Sequence, residues 1–258
     1  MPETTFLQGL VFALGLIVGS FLNVCIFRIP QGQSIVWPHS YCPSCRASLR
    51  WYHNIPVASF LFLRGRCSFC GQSISYRYPV VEMITGLLFL LVFHRFGLQW
   101  ASLVYCLFVS ILITVSFIDL DHQIIPDVIS LPGIVIGFLL SFLLPWLPWL
   151  ESLLGILVGG SVLYAVAMAY KLLSNVDGMG GGDIKLLAMI GAFLGWKAVF
   201  PVIFISSAVG CLVGIPLMLA KGSNSRLAIP FGPFLAMGAL VYLLYGGILM
   251  RWYVDSFF

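Results

Sequence analysis

The sequence predicts an all-α polytopic membrane protein with about eight transmembrane helices and a cytoplasmic zinc-ribbon-like loop. Hydrophobic residues make up 60% of the 258 residues, and charged residues only 9%. Mean hydropathy is +1.05, more than a water-soluble domain with a polar surface sustains. The apolar residues form eight runs, and four of the seven cysteines lie in the one sizeable polar segment. These three observations predict the class.

The eight apolar runs define the predicted spans. They cover residues 6–27, 79–98, 100–118, 128–150, 152–173, 184–196, 198–220 and 230–250. Most have the roughly 17 to 25 residues that cross a bilayer. The sixth reaches only about 20 Å at a rise of about 1.5 Å per residue, so we expect a short or broken helix that begins just after Asp183. A kink at Trp196 and Lys197 within one long helix is the alternative. We expect the first run to be retained, because no Lys or Arg precedes it.

Basic residues predict the orientation. Residues 28–78 contain no Asp or Glu and six arginines, namely Arg28, Arg46, Arg50, Arg64, Arg66 and Arg77. Such a segment is expected in the cytoplasm, and eight spans then place both termini outside. The net charge of +4 is therefore a topology signal, and no basic stripe predicts nucleic-acid binding. The predicted organisation is a first helix at 1–27, a cytoplasmic zinc-binding loop domain at 28–78 and a seven-helix membrane domain at 79–258.

Two Cys-x-x-Cys knuckles, 21 residues apart, lie in the polar segment. They comprise Cys42, Cys45, Cys67 and Cys70. Four thiolates in this pattern predict a tetrahedral zinc, and a closed set of four Cys ligands indicates a structural role. A pair of disulfides is the alternative, but cytoplasmic thiols are kept reduced. The remaining three cysteines lie singly in apolar runs and are expected to be packing residues.

Asp119 and Asp183 are the strongest candidates for chemistry, because a carboxylate kept at the edge of hydrocarbon is costly. Asp119 directly follows the third apolar run, and Asp183 follows Gly180, Gly181 and Gly182. Glycines let a peptide approach the carboxylate closely. Brought together, two carboxylates can share one proton and activate a water. The alternative for the glycine segment is a flexible loop that caps the next helix.

The other aspartates near these runs have simpler interpretations. Asp121 is two residues from Asp119, so in a helix it points to a different face. Asp127 follows Pro126 and fits an N-cap for the fourth span. Asp177 precedes Gly178 and fits a turn.

The motifs together resemble the bacterial type IV prepilin peptidases over nearly the whole chain. Besides the two knuckles they are Gly19-Ser20-Phe21-Leu22-Asn23-Val24 with Arg28 and Pro30, Arg77-Tyr78-Pro79 with Glu82, Ile118-Asp119, Ile125-Pro126-Asp127, Gly178-Met179-Gly180-Gly181-Gly182-Asp183-Ile184-Lys185-Leu186-Leu187 and Pro230-Phe231-Gly232-Pro233-Phe234-Leu235-Ala236. The resemblance implies an eight-helix aspartic protease of the Gly-x-Gly-Asp class in the bacterial inner membrane, with both termini periplasmic. It makes Asp119 and Asp183 the catalytic pair, and residues 79–258 the protease domain.

The resemblance also implies a substrate and a second activity. The family removes the basic leader of type IV prepilins and type II secretion pseudopilins at the cytoplasmic membrane face, cutting after Gly. Many members then methylate the new N-terminal amine with S-adenosylmethionine, an activity that the resemblance ties to the loop containing Gly65. Arg77 and Glu82 are candidates for binding the substrate or the methyl donor, and mutual pairing at the interface is their alternative. No Rossmann pattern predicts methyl transfer independently.

Two other functions fit parts of the sequence. A proton-coupled transporter would use Asp119 and Asp183 as a proton relay, but the spans contain no deeper charges and the two halves do not resemble each other. A non-catalytic zinc-bearing scaffold for secretion would need only the cysteines. Cleavage of a prepilin by the purified protein separates these alternatives.

Overall fold

The computed structural model describes residues 2–42, 44–174, 180–221 and 229–257. Within these ranges the secondary structure is helical, with two isolated antiparallel bridges in the polar segment, Tyr41 with Ser48 and Arg66 with Ser73. The helices are α1 Pro2–Arg28, α2 Ala58–Phe62, α3 Arg77–Phe96, α4 Trp100–His122, α5 Asp127–Ser141, α6 Trp149–Ser174, α7 Gly181–Leu194, α8 Trp196–Lys221 and α9 Gly232–Phe257. The predicted all-α class is confirmed.

Six of these helices are long and apolar enough to cross a membrane, namely α1, α3, α4, α6, α8 and α9. The protein is therefore a multi-pass membrane protein, but eight crossings are not confirmed. The fourth predicted span is only the 15-residue helix α5, and the sixth is the 14-residue helix α7. Helix α5 ends at Ser141, shortly before Pro145 and Pro148, which disfavour helical conformation in the residues that precede them.

Helix α7 is short and broken as predicted, but it begins earlier than the sequence prediction placed it. It begins at Gly181, with Gly180 as its N-cap residue, so Asp183 lies inside the first turn and does not precede the helix. Its end is a true break, because Gly195 adopts φ 80° and α8 begins at Trp196. The alternative of one kinked helix through residues 196 and 197 was wrong.

The chain divides into two compact units, Met1–Thr114 and Val115–Phe258. In the first unit, α1 and α3 pack with their backbones in close contact. A Cβ added at Gly15 would lie 2.7 Å from the Cα of Gly86, and one added at Gly19 would lie 2.7 Å from the Cα of Glu82. At the end of this contact, the Asn23 side chain donates a hydrogen bond to the Tyr78 carbonyl at 3.1 Å. The glycines therefore fix the start of α3 beside α1.

In the second unit, α7 is buried on nearly every side by α5, α6, α8 and α9. A helix that is apolar all round is typical of such a central position. Its fully buried side chains are Leu186, Leu187, Met189, Ile190, Ala192 and Phe193. Helix α6 contributes glycines to the contact: a Cβ at Gly155 would clash with the Gly191 carbonyl, and a Cβ at Gly191 would clash with the Gly155 carbonyl. This close backbone contact anchors the helix that contains Asp183.

Candidate active site and metal centre

Asp119 lies in the last turn of α4 and is 4% exposed. The helix ends just after it, where Gln123 adopts φ 54° and its N–H donates to the Asp119 carbonyl at 2.9 Å. The Asp119 carboxylate accepts a hydrogen bond from the backbone N–H of Gly232 at 2.9 Å. Gly232 is the first residue of α9, so a helix N-terminus, which favours negative charge, faces this carboxylate.

Asp183 is half-buried in the first turn of α7, close enough to Asp119 that the charge of Asp119 acts on it electrostatically. Ile125 connects the two positions. A Cβ on Gly182 would lie 2.8 Å from the Ile125 Cβ, and a Cβ on Gly232 would lie 3.3 Å from the Ile125 Cδ1. The N-terminal ends of α7 and α9, which adjoin Asp183 and Asp119, therefore both lie against Ile125. The structure brings together the pair that the sequence singled out.

Two neighbouring carboxylates in such an apolar setting can hold one proton between them, with one ionised and one neutral group. The ionised group can accept a proton from water, and the neutral group can donate a hydrogen bond to an oxygen that gains charge. This is the chemistry that the arrangement supports.

The glycines around the pair differ in what they contribute. A side chain at Gly182 would meet Ile125, whereas a Cβ at Gly180 would make only an ordinary contact, 3.8 Å from an Asp183 oxygen. Gly232 had no role assigned from sequence, yet a Cβ there would lie 2.7 Å from the Asp119 Oδ2. The cluster of Pro230, Gly232 and Pro233 at the start of the last apolar run was the available signal.

Of the other two aspartates near α4, Asp121 is exposed at the end of the helix. The prediction that Asp127 is an N-cap was wrong. Pro126 occupies the cap position in an extended conformation, and Asp127 is the first helical residue. Its carboxylate instead accepts hydrogen bonds from the Lys185 ammonium at 2.6 and 2.8 Å. Both side chains of this ion pair are exposed, so it contributes at most about 1 kcal/mol. Asp177 and Gly178 lie outside the described residues.

The four knuckle cysteines converge in the first unit. In each knuckle the first Cys accepts a backbone hydrogen bond from the residue after the second Cys, Arg46 N–H to Cys42 at 2.8 Å and Gly71 N–H to Cys67 at 2.9 Å. Arg46 and Gly71 both adopt the left-handed conformation, with φ 57° and 72°. Glycine tolerates that conformation without strain. The two knuckles thus repeat one local geometry.

The cysteine cluster fits a zinc ion. All four Sγ atoms lie within 4.8 Å of one another, and those of Cys42 and Cys70 are 3.9 Å apart. Tetrahedral coordination with Zn–S bonds of about 2.3 Å requires sulfur atoms about 3.8 Å apart. The backbone N–H of Cys45 lowers the pKa of the Cys42 thiol to about 7.

A cavity of about 620 Å³ lies in the first unit between the knuckles and the adjoining ends of α1 and α3. Glu82 and Arg28 line it, and both are buried. Glu82 accepts a hydrogen bond from the Val57 N–H at 2.7 Å. Arg77 begins α3 but is not among the lining residues. Gly65 adopts φ 67° and is not a lining residue either, but a Cβ there would come within 3.1 Å of the ring of Phe60, which does line the cavity.

Two family profiles match successive parts of the chain. The profile of the bacterial peptidase A24 N-terminal domain matches residues 13–96, and that of the type IV leader peptidase family matches residues 106–215. The chain is 37% identical over 273 residues to the prepilin leader peptidase/N-methyltransferase of Aeromonas salmonicida, covering 96% of this chain and 94% of that protein.

Relatives with the same name occur in other bacteria. The protein of Neisseria gonorrhoeae is 37% identical, with 92% of this chain and 90% of that protein covered. That of Myxococcus xanthus is 45% identical, with 82% of this chain and 63% of that protein covered. No solved structure gives a significant match.

Proposed function

Because the chain belongs to the type IV leader peptidase family, we propose that it removes the leader peptides of type IV prepilins and type II secretion pseudopilins. The observation that carries this proposal is the placement of Asp119 and Asp183 together at the ends of α4 and α7. The name shared by the relatives supports a second activity, methylation of the new N-terminal amine. S-adenosylmethionine is the proposed methyl donor, and zinc the proposed structural metal of the cysteine cluster.

In the proposed cleavage step, Asp119 is the ionised member of the pair. The Gly232 N–H donates to its carboxylate, and such a bond favours the charged form. Asp119 takes a proton from water as the water oxygen bonds to the scissile carbonyl carbon. Asp183 donates a hydrogen bond to the carbonyl oxygen as it gains negative charge. The C–N bond then breaks, and the leaving amine receives the proton.

In the proposed methyl transfer, the new amine nitrogen bonds to the donor's methyl carbon. The carbon–sulfur bond breaks, its electron pair stays on sulfur, and the nitrogen releases one proton to water. The donor thereby becomes a neutral thioether.

The direct test incubates purified protein with a prepilin and reads the product masses. We expect first a loss of the leader, cut after Gly, and then a gain of one methyl group when S-adenosylmethionine is added. Omitting the donor should leave cleavage intact and remove only the methyl group. An unchanged prepilin mass would favour a proton-coupled transporter or a zinc-bearing scaffold.

We also propose that the protein lies in the bacterial inner membrane with residues 28–78 in the cytoplasm and both termini in the periplasm. The six arginines of that segment support this orientation. Reporter fusions within 28–78 should be active as cytoplasmic fusions, and fusions at residues 97–99, between α3 and α4, should be active as periplasmic ones. The reverse pattern would contradict both the orientation and the argument that the cysteines stay reduced.

A further inference from the structure

Ile125 is an apolar residue beside both candidate catalytic aspartates, and the proposed cleavage step gives it no part. A Cβ on Gly232 would lie 2.7 Å from the Asp119 Oδ2 and 3.3 Å from the Ile125 Cδ1, so one carbon atom placed there would meet both groups. A Cβ on Gly182, the residue directly before Asp183, would lie 2.8 Å from the Ile125 Cβ. All five residues belong to the second unit.

The backbone is hydrogen-bonded on both sides of Ile125. Before it, the Gln123 N–H donates to the Asp119 carbonyl at 2.9 Å. After it, Pro126 caps α5 in an extended conformation, and its carbonyl accepts a hydrogen bond from the Ile129 N–H at 3.0 Å. An isoleucine side chain is itself stiff, because its Cβ is branched. Ile125 is therefore a rigid wall that cannot easily withdraw from a bound peptide.

This wall is accessible to a substrate, because Ile125 is only half-buried. The carbonyl that water attacks must lie within hydrogen-bond reach of the catalytic groups, here Asp119 and Asp183. The Cα of the substrate residue that supplies this carbonyl is bonded directly to the reacting carbon. A side chain on that Cα therefore lies close to any group that adjoins both aspartates, and Ile125 is such a group.

We propose that Ile125 is a specificity-determining residue, which restricts the substrate residue before the cut to glycine by occupying the space that a Cβ there would need. The inference rests on the proposed function, cleavage after Gly, and assigns that preference to one side chain. The protein shows the same restriction within its own chain. At Gly182 and Gly232 a Cβ would meet Ile125, and glycine is the residue that lacks one.

The test compares two prepilins that differ only in having Gly or Ala directly before the cut, with kcat/KM measured for each on purified full-length protein. The wild type should prefer Gly by roughly ten- to two-hundredfold, the range for one methyl group in an apolar site. Ile125→Ala should reduce this preference at least about tenfold. Ile125→Val removes only the Cδ1 and should give an intermediate preference.

The matched control is Ile124→Ala. Ile124 is the neighbouring isoleucine and is 47% exposed, so its truncation should leave the preference for Gly as in the wild type. Cleavage of the Gly prepilin, measured on the same preparations, reports on folding and on the aspartate pair. It should stay within about tenfold of the wild-type rate in all three variants.

Four results would overturn the assignment. If Ile125→Ala slows both prepilins by the same factor, Ile125 only positions the aspartates. If Ile125→Ala cleaves neither prepilin, Ile125→Val decides, and an unchanged preference in that variant refutes the proposal. If the wild type cleaves both prepilins equally well, there is no preference to explain and the proposed function stands. If the wild type cleaves neither, the proposed function fails and the inference fails with it.

Discussion

Asp119→Asn and Asp183→Asn should each reduce prepilin cleavage at least about a thousandfold, within the range of positioned acid–base catalysis. Asparagine keeps the shape of aspartate but can neither accept the proton of water nor share a proton with its neighbour. In Asp119→Asn the Gly232 N–H, which donates to the carboxylate in the wild type, can still donate to the amide oxygen of the new side chain, so the local fold should survive. The measurement is the initial cleavage rate of purified variants on a prepilin.

The controls are the two other carboxylates near this site. Asp121→Asn should retain most activity, because Asp121 is exposed at the end of α4. Asp127→Asn loses an exposed ion pair with Lys185 and should change the rate by less than about tenfold. If Asp121→Asn abolished cleavage while Asp119→Asn did not, the choice of Asp119 would be wrong.

The same aspartate variants should keep methyl transfer on a prepilin peptide made without its leader, so that the new N-terminal amine is already free. The physical reason is that both aspartates belong to the second unit, whereas the loop containing Gly65, to which the family resemblance ties methyl transfer, belongs to the first. Loss of both activities in well-folded single variants would instead indicate one shared site.

Replacing the buried cysteine of each knuckle, as Cys42→Ser with Cys67→Ser, should lower the zinc content from about one ion per chain to nearly none. Structural zinc sites contribute about 10 kcal/mol or more to the folding of small knuckle domains. Cys42 and Cys67 belong to the same polar segment as Gly65, to which the resemblance ties methyl transfer, so methyl transfer and thermal stability should fall more than cleavage. Metal analysis, thermal unfolding and both activity assays measure these effects.

Cys211→Ser is the control for the zinc prediction, because Cys211 is a single exposed cysteine in α8. It should keep full zinc content and both activities. Full metal content in the double variant would refute the zinc assignment. Equal loss of cleavage and methyl transfer would show that the knuckles stabilise the whole protein and have no special effect on methyl transfer.

The sequence predicted those features that depend on local spacing or on the cost of charge near hydrocarbon. The knuckle cysteines follow from their spacing, and the pairing of Asp119 with Asp183 follows from the scarcity of carboxylates at the ends of apolar runs. The early end of α5 was also readable in principle, since Pro145 and Pro148 lay inside the assumed span. Hydropathy alone does not detect such breaks, because a proline changes average hydropathy little.

Other features depend on contacts between distant residues and could not be predicted from local pattern. The Gly232 N–H donates a hydrogen bond to Asp119, which lies 113 positions away in the chain. Asp127, which was expected to be an N-cap, instead pairs with Lys185. The cavity depends on the approach of α1 to α3 through Gly19. A glycine in an apolar run can have several structural roles, and only its contact with a partner helix shows which role it has.

The glycine contact between α6 and α7 also constrains how the protein can evolve. Gly155 and Gly191 each face a carbonyl of the other helix, and a main-chain oxygen cannot be exchanged for a smaller group. By contrast, a Cβ at Gly137 would meet the side chain of Phe193 at 2.7 Å, which a smaller residue could relieve. Substitutions at Gly137 can therefore be rescued by a second mutation on α7, whereas those at Gly155 have no such suppressor. Among related sequences, residues 137 and 193 should therefore vary together, whereas Gly155 and Gly191 should stay fixed.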